Sequence, residues 1–195
     1  MGFKRSDVTK PGAVVLERTV KIDAWPRLVT STDPTEAFER LFRAEYARVV
    51  GVAQHILADR PEAEDVAQEV FWSFHRRHPS GAPYAAAWLH RAAAHAALNI
   101  LRGDRRRRRR ELAQQDPAPL ADPELEVVHA ERRRTVRRAL ARLPEGSATV
   151  LGLRYSGLSY AEVAAAMGVG IGQVGTRLRR AEAAFRKEIE HATSF

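Results

Sequence analysis

Not one of the 195 residues is a cysteine, which excludes a disulfide framework, a thiol nucleophile and a cysteine-ligated zinc finger. No apolar run approaches the roughly 18 residues of a membrane-spanning helix. The opening "MGFKRSDVTKPG" has no apolar signal core. A cytoplasmic protein without membrane insertion is expected. Strand signals are nearly missing: only "AVVLERTVKID" (Ala13 to Asp23) alternates weakly, in a segment broken by Pro11, Pro26 and Pro34. There is no phosphate-cradling glycine loop, and no His, Ser or metal-ligand partner converges by spacing on a carboxylate pair. The expectation is a protein that is not an enzyme, with no catalytic residue, no metal and no cofactor. What the chain does have is positive charge. Lys and Arg number 32 against 24 Asp and Glu, a net +8 with a pI near 10.5. Such a surface favours a polyanion, either nucleic acid or an anionic membrane. Apolar residues make up 45%, enough for a packed core.

Residues 1–33 read as an N-terminal extension, expected to be mobile. From Thr35 a helical period takes over: Phe38, Leu41, Phe42, Tyr46, Val49, Val50, Ala53, Ile56 and Leu57 share one face. Pro61 opens a second helix, with Glu62 and Glu64 near its positive dipole end and Val66, Ala67, Val70, Phe71 and Phe74 as its apolar face. "HPSGAPY" is a break, and a third helix is expected from about Tyr84 to Arg102. "RGDRRRRRRE" and a segment with prolines at 117, 119 and 123 follow, and the latter argue for a linker. Val128, Val136, Leu140 and Leu143 suggest a further helix, and "LPEGSATVLGLRY" another. The fold class is all-α, as two small helical domains at 34–112 and 127–190, joined by a flexible linker at 113–126 and followed by a tail at 191–195.

Three stretches can carry function. In "LSYAEVAAAMGVGIGQVGTRLRRAEAAF", Ser159 and Glu162 form a capping box and Gly168 suits a left-handed helix end. Ile171, Val174, Leu178, Ala181 and Phe185 then share one face of the next helix. Gln173, Thr176 and Arg180 point away from them, with Arg177 and Arg179 on the flanks. This is a helix-turn-helix pattern, whose second helix enters the major groove, although a plain helical hairpin with solvated arginines fits the stretch alone equally well. On the third helix, Trp88, Arg91, His95, Asn99 and Arg102 form a stripe beside the core face, prolonged by Arg105 and Arg106. An aromatic platform with cations and an amide suits single-stranded DNA. Trp88 as a core residue and His95 as an ordinary surface histidine remain open. The second helix carries the opposite sign, with Asp65, Gln68, Glu69 and Trp72 off the apolar face. That patch suits a basic protein partner, or water.

Taken together, these stretches make the chain resemble the extracytoplasmic-function sigma factors, the small members of the sigma-70 family of bacterial RNA polymerase. "EAEDVAQEVFWSFHRR" and "AAWLHRAAAHAALNILR" look like sigma region 2, and "LPEGSATVLGLRYSGLSYAEVAAAMGVGIGQVGTRLRRAEAAF" like region 4. The resemblance implies a protein that binds core RNA polymerase and directs promoter-specific transcription initiation. Asp65, Gln68, Glu69 and Trp72 would face the clamp helices of the largest subunit, and region 4 would sit on the flap of the second-largest subunit. The stripe Trp88, Arg91, His95, Asn99, Arg102, Arg105 and Arg106 would melt promoter DNA at the minus-ten element. Gln173, Thr176, Arg177, Arg179 and Arg180 would read the minus-35 element. An anti-sigma factor is a further partner class that the family brings with it. A free-standing helix-turn-helix transcriptional regulator is the rival reading, but it leaves the Trp88 stripe unexplained. The chain departs from the family pattern at His95, where Asn is usual, at "GIGQV", where the turn usually has proline, and at Gly175, which is often basic or polar. "SAT" at Ser147 to Thr149 also lacks the usual Arg-Glu pair.

Overall fold

A computed structural model describes residues 33–112 and 124–193, with side chains described over 33–107 and 130–192. The N-terminal extension and residues 113–123 of the linker lie outside the described residues. The described chain is seven helices, α1 (Pro34–Leu57), α2 (Arg60–Arg77), α3 (Ala85–Leu112), α4 (Glu124–Arg142), α5 (Glu145–Tyr155), α6 (Tyr160–Met167) and α7 (Ile171–Thr193). None of them is long and apolar enough to cross a membrane.

Local chemistry sets most of the boundaries. The Asp33 side chain accepts from the backbone N–H of Thr35 at the start of α1, and Ala58 ends that helix in the left-handed conformation at φ 54°. Asp59 caps α2 by accepting from the Glu62 N–H, with Pro61 inside the first turn, where its missing N–H is not needed. Asp33 and Asp59 therefore fix the two ends of the first hairpin. At α6 both halves of the capping box are made, and Gly168 at φ 64° closes the helix. A side chain would be strained there, so glycine is the residue that lets the chain turn directly into α7.

α1, α2 and α3 form the first unit. Phe71 sits at its centre, with Phe42 at 4.9 Å, Phe38 at 6.2 Å edge-on and Tyr46 at 6.2 Å. α4 to α7 form the second unit, around Leu140, Leu143, Leu153, Val163, Val174 and Leu178. Leu140 and Leu143 are buried as the α4 pattern predicts, but Val136 is exposed.

Two findings differ from the sequence reading. α3 does not stop near Arg102; it runs on through the arginine block to Leu112, and α4 begins at Glu124, inside the expected linker. Arginine is a good helix former, and cations near a helix C-terminus are favoured by the dipole, so Gly103 alone does not break the helix. The second difference is larger. The two units are packed against each other, and their buried residues form one continuous core. α3 lies at the centre, and from Ala92 to Leu98 every residue is buried. A helix covered on all sides needs small residues to let neighbours approach, and "AAAHAAL" supplies them.

Candidate nucleic-acid and partner interfaces

The outer face of α7 is built as the period predicts. Val174, Leu178 and Ala181 are buried, which turns Gln173, Thr176, Arg177, Arg179 and Arg180 outward, and all five are exposed. The turn before it is held by Val169 N–H donating to the Ala164 carbonyl at 3.0 Å. Gly175 lies behind this face, where an added Cβ would meet the Tyr160 ring at 3.8 Å, an ordinary contact. The position therefore tolerates a side chain sterically.

The acidic patch on α2 is likewise presented. Ala63, Val66, Ala67, Val70, Phe71 and Phe74 face the core, leaving Asp65 and Gln68 exposed and Glu69 half-buried. Trp72 is 61% exposed, with the Arg76 guanidinium over its ring at 4.6 Å. An indole left this open on a well-packed helix is costly to hydrate and suits a protein contact. Burial raises the Glu69 carboxyl above its ordinary value.

The α3 stripe is arranged differently from the expected exposed ridge. Trp88 is 5% exposed; its ring packs on Phe74 at 5.3 Å and His78 at 4.9 Å, and its Nε1 has no hydrogen-bond partner. His95 is buried as well, under α5, with Nδ1 3.1 Å from Glu145 Oε1 but without the alignment of a hydrogen bond. Burial pushes the imidazole below its ordinary value, Arg91 and Arg102 push the same way, and Glu145 opposes them. Arg91 and Asn99 are half-buried, while Arg105 and Arg106 are exposed. Arg102 Nη2 donates to the Leu143 carbonyl at 3.3 Å and Arg105 Nη1 to the Ala141 carbonyl at 3.5 Å. The stripe is thus continuous along the helix, but its Trp88 end faces the first unit's core and its middle faces the second unit. The high alanine content around it hid this, because it leaves no polar face by which the two buried sides could be told apart.

Sequence reasoning also missed a charge chain that joins the units. His90, 1% exposed, lies with Nε2 2.8 Å from Glu45 Oε2; Glu45 pairs with Arg48 at 3.6 Å, and Arg48 reaches across to Glu162 of the α6 capping box. The Glu162 carboxylate also accepts from Ser159 N–H at 2.8 Å and Ser159 Oγ at 2.7 Å. Arg48 first, and then these two Ser159 bonds, push the carboxyl down from 4.5 to about 2. A depressed carboxyl stabilises the fold fully above its unfolded value and loses that contribution as pH falls through the folded one. Glu162→Gln should therefore lower stability by about 1 kcal/mol or less at neutral pH, since the pair is solvent-exposed in part. Urea denaturation across pH should show that difference shrinking from pH 4.5 towards 2. A difference that persists at the acid end would contradict the assignment.

Comparison with known proteins places this geometry. Residues 41–108 match Sigma-70 region 2 and residues 133–185 match Sigma-70, region 4. Over 167 residues the chain is 31% identical to the RNA polymerase sigma-H factor of Pseudomonas aeruginosa, covering 79% of this chain and 86% of that protein. Over 150 residues it is 35% identical to the ECF RNA polymerase sigma factor SigM of Mycobacterium tuberculosis, covering 75% and 74%. The chain belongs to the extracytoplasmic-function sigma factors of the sigma-70 family. Among solved structures, CnrH in complex with the cytosolic domain of CnrY is similar at 21% identity and a TM-score of 0.49, over 80% of this chain and 90% of that one. Region 2 is therefore α1 to α3, and region 4 includes most of α4 and the helix-turn-helix of α6 and α7.

Proposed function

We propose that this sigma factor binds core RNA polymerase through the α2 patch of Asp65, Gln68, Glu69 and Trp72. In that complex it directs transcription from promoters whose minus-35 element is read by α7. The observation that carries the reading is the α7 face: one amide, one hydroxyl and three guanidiniums, all exposed on a helix seated by a capped partner helix and a glycine turn. Arginine forks match the acceptor pair on a guanine edge, and the amide of Gln173 matches adenine. Arg91, Asn99, Arg102, Arg105 and Arg106 of α3 hold the phosphates of the opened minus-ten strands, and His95 lines the same surface. Trp88 supports that surface from beneath, through His78 and the turn that precedes α3. The domain division follows the two contacts, with residues 34–112 acting at the minus-ten element and 127–190 at the minus-35 element.

The α7 assignment is tested with holoenzyme on a matched promoter. Arg180→Ala should cost about 1–3 kcal/mol of promoter affinity and relax preference at one base position. An equal loss on matched and scrambled minus-35 sequences would reduce Arg180 to a phosphate contact.

A further inference from the structure

The contacts that join the two units fall on the same α3 side chains that the proposed function assigns to DNA. Arg102 and Arg105 donate to the Leu143 and Ala141 carbonyls, the last of α4, which have no partner further along the helix. A helix C-terminus carries a partial negative charge, so these carbonyls present to the guanidiniums what a phosphate would. Glu145, in the first turn of α5, adds a full carboxylate 3.1 Å from His95. Arg91, His95, Glu145 and Thr149 line a cleft of about 150 Å³ between the units. We propose that region 4 holds the free chain closed by standing in for DNA: the α4–α5 corner occupies the strand-binding stripe of α3, and an opened promoter strand must displace it.

Other features of the seam fit a contact made to be broken. Arg48 and Glu162 tie α1 to α6, and Arg137 lies 3.7 Å from Glu62 and 3.6 Å from Asp104, so charge pairs guard its edges. Such pairs are weak and salt-sensitive. Its interior is imperfect. His95 Nδ1 and Thr149 Oγ1 are buried without hydrogen bonds, and a groove of about 580 Å³ runs beside Ile56, Leu140, Tyr155 and Phe185. Close approach depends on one residue. A Cβ on Gly152 would lie 2.6 Å from Ile56 Cδ1 and 2.9 Å from Cγ1, and Ile56 is buried in the first unit's core. Any side chain at 152 wedges α5 away from α1.

This proposal rests on the reading of α3 as the strand-binding helix, and its test separates the two. The chain has no cysteine, so Ala44→Cys and Ala183→Cys, both at exposed positions on different units, report separation by fluorescence transfer after labelling. Gly152→Val opens the seam by bulk. Glu145→Lys with Arg48→Ala opens it by charge and leaves both apolar cores untouched. The free full-length chain should show high transfer, and both opened forms low transfer. Where the closed form holds nine molecules in ten or more, opening should tighten binding of single-stranded oligo(dT) by about tenfold or more. Low transfer in the parent chain, or oligo(dT) binding no tighter in opened chains of low transfer, overturns the proposal. The stripe itself is checked in holoenzyme: Arg102→Ala should slow promoter opening. Opening at the parent rate would sink the DNA reading of α3, and the competition with it, whatever the transfer shows.

Discussion

Replacing Asp65 and Glu69 together by Lys is expected to weaken binding to core RNA polymerase at least about a hundredfold, or roughly 2.7 kcal/mol, while leaving the fold intact. Asp65, Gln68, Glu69 and Trp72 stand at i, i+3, i+4 and i+7 on α2, so they form one patch beside the buried face. Reversing two of its charges replaces attraction to a basic partner by repulsion, which costs more than deleting them. Neither carboxylate makes an ion pair in the described structure, and Asp65 is exposed, so the free chain has little to lose. Trp72→Ala should add a separate loss, because a large aromatic at the centre of an interface commonly contributes 2 kcal/mol or more (about 2–4). Fluorescence anisotropy with labelled sigma factor measures both. Unchanged affinity in the double variant would remove α2 from the polymerase contact.

The second large effect is expected at Trp88. Trp88→Ala should destabilise the chain by about 3–5 kcal/mol, the cost of emptying a buried aromatic site. The ring lies between Phe74 and His78 and is nearly inaccessible. Trp88→Phe should cost less than about 1.5 kcal/mol, because the indole Nε1 has no partner to lose. Chemical denaturation gives both numbers. In holoenzyme the pair distinguishes support from stacking. If Trp88 acts by holding the turn at His78 to Tyr84, the Phe variant opens a linear promoter as the parent does. If it stacks on a base, the Phe variant is slower on linear DNA and a premelted bubble restores it. Permanganate reactivity of unpaired thymines on the two templates reads the difference, and the buried ring favours the first result.

The parts of the fold written in local chemistry were legible from the sequence. Ser159 with Glu162, Gly168, and Pro61 in the first turn each fixed a helix end through backbone groups a few residues away, and all are found in place. The α7 and α2 faces were legible for a related reason: their buried and exposed residues differ in polarity, so the period alone sorts them. α3 was not, and the cause is physical. Alanine is small enough for either side of a helix to be covered and carries no signal of which side is. His95 and Trp88 were read as the exposed exceptions on such a helix, and their burial depends on α5 and on the α2–α3 turn. Arg48 and Glu162 stand 114 residues apart and belong to different units, so no local pattern links them. Gly152 was the one quiet cue, a helix-interior glycine where a neighbouring helix comes close.

Reconstituted transcription decides whether this chain does what its two interfaces are built for. Core RNA polymerase from the native host is mixed with the full-length protein on a promoter template found by its own holoenzyme footprint. Run-off transcripts are expected only when both are present, and they should disappear with the Asp65→Lys, Glu69→Lys variant. Footprinted DNA bound by the protein alone, with no transcript and no co-purification with core enzyme, would instead mark a free-standing regulator and contradict the assignment.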